Sequence, residues 1–100
     1  MATVSKVLAR TAAATSSTTL YTVPAATTTV VTNIAVTNSA SSAATFTITL
    51  DSVDLFKDAA IAANTTALID LKQVLATTKI IAGLASAITV KFQISGVEIV

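Results

Sequence analysis

The chain has 100 residues, with Lys and Arg totalling six, Asp and Glu five, and neither Cys nor His. That length allows one domain with little core to spare. The missing residue types exclude disulfides, Cys/His metal centres and Ser–His–Asp or Cys–His catalysis. Two Gly are too few for a phosphate-cradling loop.

Charged residues make up 11% of the chain, against about 25% in an average soluble domain. Mean hydropathy is +0.80, and nineteen threonines must do much of the wetting. A surface of hydroxyls and methyls is poorly protected against association, so association is the expected purpose. The plainer alternative is a monomer with a Thr-rich surface. The net charge of +1 favours no partner, and the scattered Lys6, Arg10, Lys57, Lys72, Lys79 and Lys91 form no basic stripe for nucleic acid. No apolar run reaches the length of about 18 residues that a membrane span needs. Met1–Lys6 does not read as a signal peptide, so synthesis in a cytoplasm is expected.

Along the chain, residues 1–17 read as an N-terminal arm, with a possible edge strand near Val4–Arg10. Val4, Lys6, Val7, Leu8 and Arg10 are its candidate partner contacts. For residues 11–17, fraying is an equal alternative. The domain proper is expected over 18–100. Thr18–Val23 is a strand stopped by a turn through Pro24-Ala25-Ala26. In Thr29–Asn38, Val30, Ile34 and Val36 share one side with Thr32 as the exception. Asn38–Ser42 is a turn cluster, and Ala44–Asp51 alternates Ala44, Phe46, Ile48 and Leu50 against Thr45, Thr47, Thr49 and Asp51. These two strands around a five-residue polar loop read as a β-hairpin.

Val53–Lys57 is a short strand. Asp58–Ala63 is open to a single helical turn, because Ala favours helix. Ala67, Ile69 and Leu71 alternate with Leu68, Asp70 and Lys72. Lys79–Leu84 suggests a strand covered on both faces. Ile88, Val90, Phe92 and Ile94 then share a face until Gly96 interrupts, and Val97 and Ile99 resume the alternation, leaving Glu98 on the polar phase. Seven or eight short strands at this spacing predict an all-β fold. The expected form is a small antiparallel β-sandwich, jelly-roll or immunoglobulin-like, with an N-terminal arm. With one Pro and few Lys, its edge strands look unprotected.

Candidate chemistry is thin. Asp51, Asp54 and Asp58 lie close together but lack the ligand spacing and Gly of a calcium loop, so they read as charges solvating a hairpin end. Glu98 reads as a salt-bridge partner for a neighbouring strand or subunit. Asn64-Thr65-Thr66 matches a glycosylation sequon that a Thr-rich chain produces by chance. Tyr21 reads as a buried ring with its hydroxyl at the rim.

The run Thr18-Thr19-Leu20-Tyr21-Thr22-Val23-Pro24-Ala25, followed by Val30-Val31-Thr32-Asn33-Ile34-Ala35-Val36-Thr37-Asn38, resembles small β-sandwich virion proteins of tailed bacteriophages. Ile61–Thr65 and the closing Ser95-Gly96-Val97-Glu98-Ile99 are similar too, so the likeness spans most of the chain from about residue 7. It departs at Ala26, where Gly is usual. A type I turn would tolerate Ala there. The resemblance implies a non-enzymatic virion protein without a cofactor, made in a host cytoplasm. The implied role is a capsid decoration or cement protein bridging major capsid subunits. Implied partners are its own copies, as dimer or trimer, and the major capsid protein, with no nucleic acid and no membrane. A small tail or baseplate component is the alternative, and a carbohydrate-binding host-attachment module a more distant one.

Overall fold

The computed structural model describes residues 2–100. The chain forms eight strands: β1 (Thr3–Ala12), β2 (Thr18–Thr22), β3 (Thr28–Asn38), β4 (Ala44–Leu50), β5 (Val53–Ile61), β6 (Thr65–Leu75), β7 (Ile80–Ala85) and β8 (Val90–Ile99). They build two four-stranded antiparallel sheets, β1-β8-β3-β6 and β2-β7-β4-β5. All-β structure and a sandwich were expected, and of the two arrangements considered this strand order is that of the jelly roll. Inward side chains of both sheets meet in one core. Phe46 of β4 packs edge-on to Phe92 of β8 across the sandwich, with ring centroids 6.3 Å apart, and Ile34, Ile48, Ile81 and Ile94 are fully enclosed.

β3 and β4 do not form the expected hairpin. They lie in opposite sheets, and the polar loop between them crosses from one sheet to the other. The reason is Asn38, whose side chain is completely buried. Its Nδ2 donates to the carbonyls of Ser42 (2.9 Å) and Ala62 (3.3 Å), while its Oδ1 accepts from the Ala40 N–H (3.1 Å) and the Thr89 hydroxyl (3.2 Å). One amide thus ties three loops together at one end of the sandwich. The tight hairpin is β4–β5, where Asp51 (φ 52°) and Ser52 (φ 63°) both occupy the left-handed region. β5 runs on through Asp58–Ile61 as strand, so the helical turn is not formed. A bulge absorbs the irregularity: Asp58 sits at φ 48° and its N–H donates to the Thr47 hydroxyl at 3.0 Å. Ala26 also has a positive φ, 55°. The tolerance of a type I turn therefore does not apply, and the Ala there is strained.

Two face assignments are corrected, one by a bulge and one by the absence of a break. A register shift at Thr32 turns Val31 and Thr29 inward and Val30 outward, so Val30 does not share a face with Ile34 and Val36. β8 keeps its phase through Gly96: Val90, Phe92, Ile94, Gly96 and Glu98 all face inward, and Ile88 lies exposed before the strand begins. Gly96 is required at its position. A Cβ there would lie 2.4 Å from the Val30 carbonyl oxygen and 2.9 Å from Leu8 Cδ1.

Of the expected arm over residues 1–17, the described residues 2–17 do not stand apart from the domain. β1 is an integral strand, paired with β8 from Thr3↔Ile99 to Ala12↔Lys91, and Leu8, Ala9 and Ala13 belong to the core. The sandwich thus begins at Thr3 rather than at residue 18. Met1 lies outside the described residues.

Candidate functional site

β1 distributes its five candidate contacts in different directions. Leu8 occupies a bulge and is buried against Gly96, which removes it from any partner surface. Lys6 points inward and pairs with Glu98 at 3.3 Å. Val4 lies opposite Glu98, half-exposed at the end of the sandwich. Val7 and Arg10 face outward, and Arg10 Nε–H donates to Gln93 Oε1 at 3.1 Å.

Glu98 is the only charged side chain in the buried set among the described residues. Its Oε2 accepts a short 2.5 Å bond from the Tyr21 hydroxyl, which lies 2.8 Å from Thr29 Oγ1. Tyr21 belongs to one sheet and Glu98, Thr29 and Lys6 to the other, so the cluster clamps the two sheets together. The Tyr21 hydroxyl bond holds the Glu98 carboxyl below its ordinary range, burial opposes this, and Lys6 adds to it. Burial and the neighbouring carboxylate push the Tyr21 phenol up. The sequence placed Glu98 on the polar phase because Gly96 read as an interruption. The structure shows an uninterrupted strand that brings Glu98 to Lys6 of the neighbouring strand.

The three clustered acids do not converge. Asp51 pairs with Lys79 at 3.7 Å, Asp58 sits at the β5 bulge, and no group of three acidic side chains suited to a metal occurs among the described residues. The depression lined by Leu50, Val53, Asp54, Leu55 and Gln73 has a volume of 220 Å³, below the range of about 300–1,000 Å³ of small-molecule sites. None of the four aromatic rings is exposed: Phe46 and Phe92 are buried, Phe56 stacks tilted on Phe46 at 5.5 Å, and Tyr21 is engaged with Glu98. No helix is long and apolar enough to cross a membrane among the described residues.

Surfaces remain, and on them the few charges are arranged. Seven of the eleven charged residues of the chain lie on edge strands: Lys6 and Arg10 on β1, Asp54, Lys57 and Asp58 on β5, Asp70 and Lys72 on β6. β3, β4 and β7, all interior to their sheets, carry none. The remaining edge, β2, has five residues and a register shift. Short edges, bulges and charges, including an inward-pointing one like Lys6, are the standard guards against strand addition. The edges are therefore protected, contrary to the expectation from overall Lys and Pro content.

The two outer faces differ. On the β2-β7-β4 face, Thr19, Thr22, Thr45, Thr47 and Thr49 surround Ile80, Ala82 and Leu84, with no charge on any of the three strands. β7 was expected to be covered on both sides. Ala82 is buried among its neighbours, while Ile80 and Leu84 are only half-buried. On the β1-β8-β3-β6 face, apolar Val74, Val30 and Val97 lie in one cross-strand row. No family model, curated protein or solved structure matches the chain.

Proposed function

We propose that the protein is a structural component of a tailed-phage virion, a capsid decoration protein that reinforces contacts between major capsid subunits. The supporting observation is the charge-free outer face of β2, β7 and β4 between guarded edges. A face of threonine methyls and hydroxyls around Ile80 and Leu84 has no charge to desolvate, and a large partner that hydrogen-bonds the hydroxyls can cover it. The jelly roll is a fold that viral capsid domains use, which is an analogy of architecture alone. The sequence resemblance supplies the virion. The mechanism is additive: many copies, each burying roughly 800 Å² per partner, raise the cost of separating capsomers.

Tail or baseplate placement is the second reading, on the same resemblance. A carbohydrate-binding role loses support from the enclosed aromatic rings, since sugar stacking needs an exposed one. The test is electron microscopy of purified particles from the source of this chain, with the protein gold-labelled through a terminal tag. Label spread evenly over heads supports decoration. Label confined to tails rejects it in favour of the second reading, and unlabelled particles reject both.

A further inference from the structure

β1 is the strand that the rest of the sandwich can most easily spare. It pairs with β8 alone, so its departure breaks no other ladder. Eight of its ten residues are exposed, against seven of eleven on β6, five of nine on β5 and three of five on β2, the other edges. It buries only Leu8 and Ala9, and none of the fully enclosed side chains of the core belongs to it. Segments with few buried contacts open at a lower free energy than the core. The link to β2, Ala13–Ser17, is pinned at its start, where the Ala13 N–H donates to the Val90 carbonyl at 2.8 Å and the Ala14 carbonyl accepts from the Ala85 N–H at 3.0 Å. Thr15, Ser16 and Ser17 are exposed.

The edge beneath β1 is of a different kind. β8 runs for ten residues with two charges, Lys91 and Glu98, and both register shifts along it fall in its neighbours, at Leu8 and Thr32. The guards on this side of the sheet, Lys6, Arg10 and the bulge at Leu8, all belong to β1 and leave with it. The uncovered edge is shaped for the sequence of β1. Gly96 makes room for Leu8, since a Cβ there would lie 2.9 Å from Leu8 Cδ1. Glu98 takes Lys6 at 3.3 Å, and Gln93 Oε1 accepts from Arg10 Nε–H at 3.1 Å. The strand of another copy repeats all three contacts in register.

We propose that two copies of the chain exchange β1 reciprocally, each strand crossing to the β8 edge of the other copy. The result is a closed, two-fold dimer by strand swapping. The link is long enough: from Ala12 to Thr18 it spans up to about 20 Å when extended, against about 10 Å between packed sheets. Exchanged and closed forms make the same contacts, so the balance between them is set by the effective concentration that the link gives β1 at its own edge. For a short flexible link that is of order 1 mM. Closed chains therefore dominate in dilute solution, and exchange becomes substantial at hundreds of micromolar. The proposal stands apart from the virion reading, since it concerns the free protein.

The experiment uses two full-length variants, V7C and S95C. The chain has no cysteine of its own, and Val7 and Ser95 are partners across the β1–β8 ladder. Circular dichroism confirms that both variants are folded. They are mixed at about 250 µM each, held about 10 °C below the melting midpoint, cooled and oxidised with diamide. Disulfides are then counted by mass spectrometry. Each thiol faces an unsubstituted partner within its own closed chain, so random collisions give mixed and like disulfides in equal amounts. Exchange places a V7C strand against an S95C edge. Mixed disulfides are expected to exceed like ones at least fivefold, and the excess to vanish at about 5 µM total chain. Equal amounts at the higher concentration overturn the proposal. Hydrogen exchange on the wild type tests the opening itself. Amides of the β1–β8 ladder are expected to be at least tenfold less protected than those of the β3–β8 ladder. Equal protection would mean that β1 leaves only on global unfolding, and would overturn the proposal as well.

Discussion

Replacing Asn38 with Ala removes the amide that ties together the loops after β3, after β5 and before β8. Four bonds of 2.9–3.3 Å are lost; a fifth contact, to the Ile61 carbonyl at 3.5 Å, is too long to count. Each is worth about 0.5–1.5 kcal/mol net. The Ser42, Ala62, Ala40 and Thr89 groups lie partly at the surface, so water replaces some of the loss. The balance is a destabilisation of about 2–4 kcal/mol. For a domain of this size that lowers the melting temperature by roughly 10–25 °C. N38D at neutral pH should be no better, because its carboxylate cannot donate and would face the carbonyls of Ser42 and Ala62. Asn33→Ala, on the outer face, is the control and should stay within about 0.5 kcal/mol. Urea unfolding followed by circular dichroism reads all three. An N38A midpoint within error of the Asn33→Ala midpoint would refute the assignment of Asn38 as the tie between the loops.

The Glu98 clamp makes the fold acid-sensitive. Its carboxyl is held below the ordinary value of 4.5, so its contribution is present above that pH and is lost as pH falls through the lower folded value. Stability of the wild type should therefore drop more steeply than that of E98Q below pH 4.5; parallel melting curves against pH would contradict this. Y21F should raise the Glu98 value, seen by carbon NMR titration of the carboxyl, because the phenol bond is the largest stabiliser of the charged form. The two glycines should differ. G96A forces a Cβ against the Val30 backbone oxygen and should cost about 2–3 kcal/mol or prevent folding. G83A meets Leu20 Cδ1 at 3.0 Å, a movable side-chain end, and should cost less. Replacing Asp51-Ser52 by Asn-Gly, or Ala26 by Gly, relieves left-handed strain and should stabilise by about 0.5–1.5 kcal/mol each in chemical denaturation; no gain would argue against the positive φ values at those sites.

Alternation made the strands legible, because a half-buried sheet imposes period two on its residues. Ala44–Leu50 and the Ala67, Ile69 and Leu71 set face as their sequence pattern indicates. Single-residue bulges were not legible. The shift at Thr32 reverses Val30 and Val31, and the polar Thr32 on the apolar phase was its mark in the sequence, too slight to distinguish a bulge from an exception. Gly96 misled in the opposite direction: a Gly that allows close approach to Val30 looked like an interruption, and Glu98 was placed outside. Lys6 opposite an inward Glu98 was the signal available, visible only once the β1–β8 register is known. Asn38 both closes the expected strand Thr29–Asn38 and opens the expected turn cluster Asn38–Ser42, and its side chain is given no role in either. Its spacing of two from Val36 and four from Ile34 puts it on the inward phase, which could have flagged a buried amide.

Association was expected from the scarcity of charge, on the reasoning that few Lys and one Pro leave strand edges open. That premise holds for the average over the chain and fails for its distribution. Seven charges on three edge strands, bulges in β1, β5 and β6, and a five-residue β2 leave no long, flat, apolar edge for another chain to extend. The same placement leaves β3, β4 and β7 without charge, and of the interior strands β8 alone carries any, Lys91 and Glu98. A face without charge, as on β2, β7 and β4, offers no like-charge penalty and little to fix register, which suits a partner whose own shape sets the geometry. The opposite face carries Arg10 on β1, Lys91 on β8, and Lys72 and Asp70 on β6. The edge residues that block strand addition thus also border the faces.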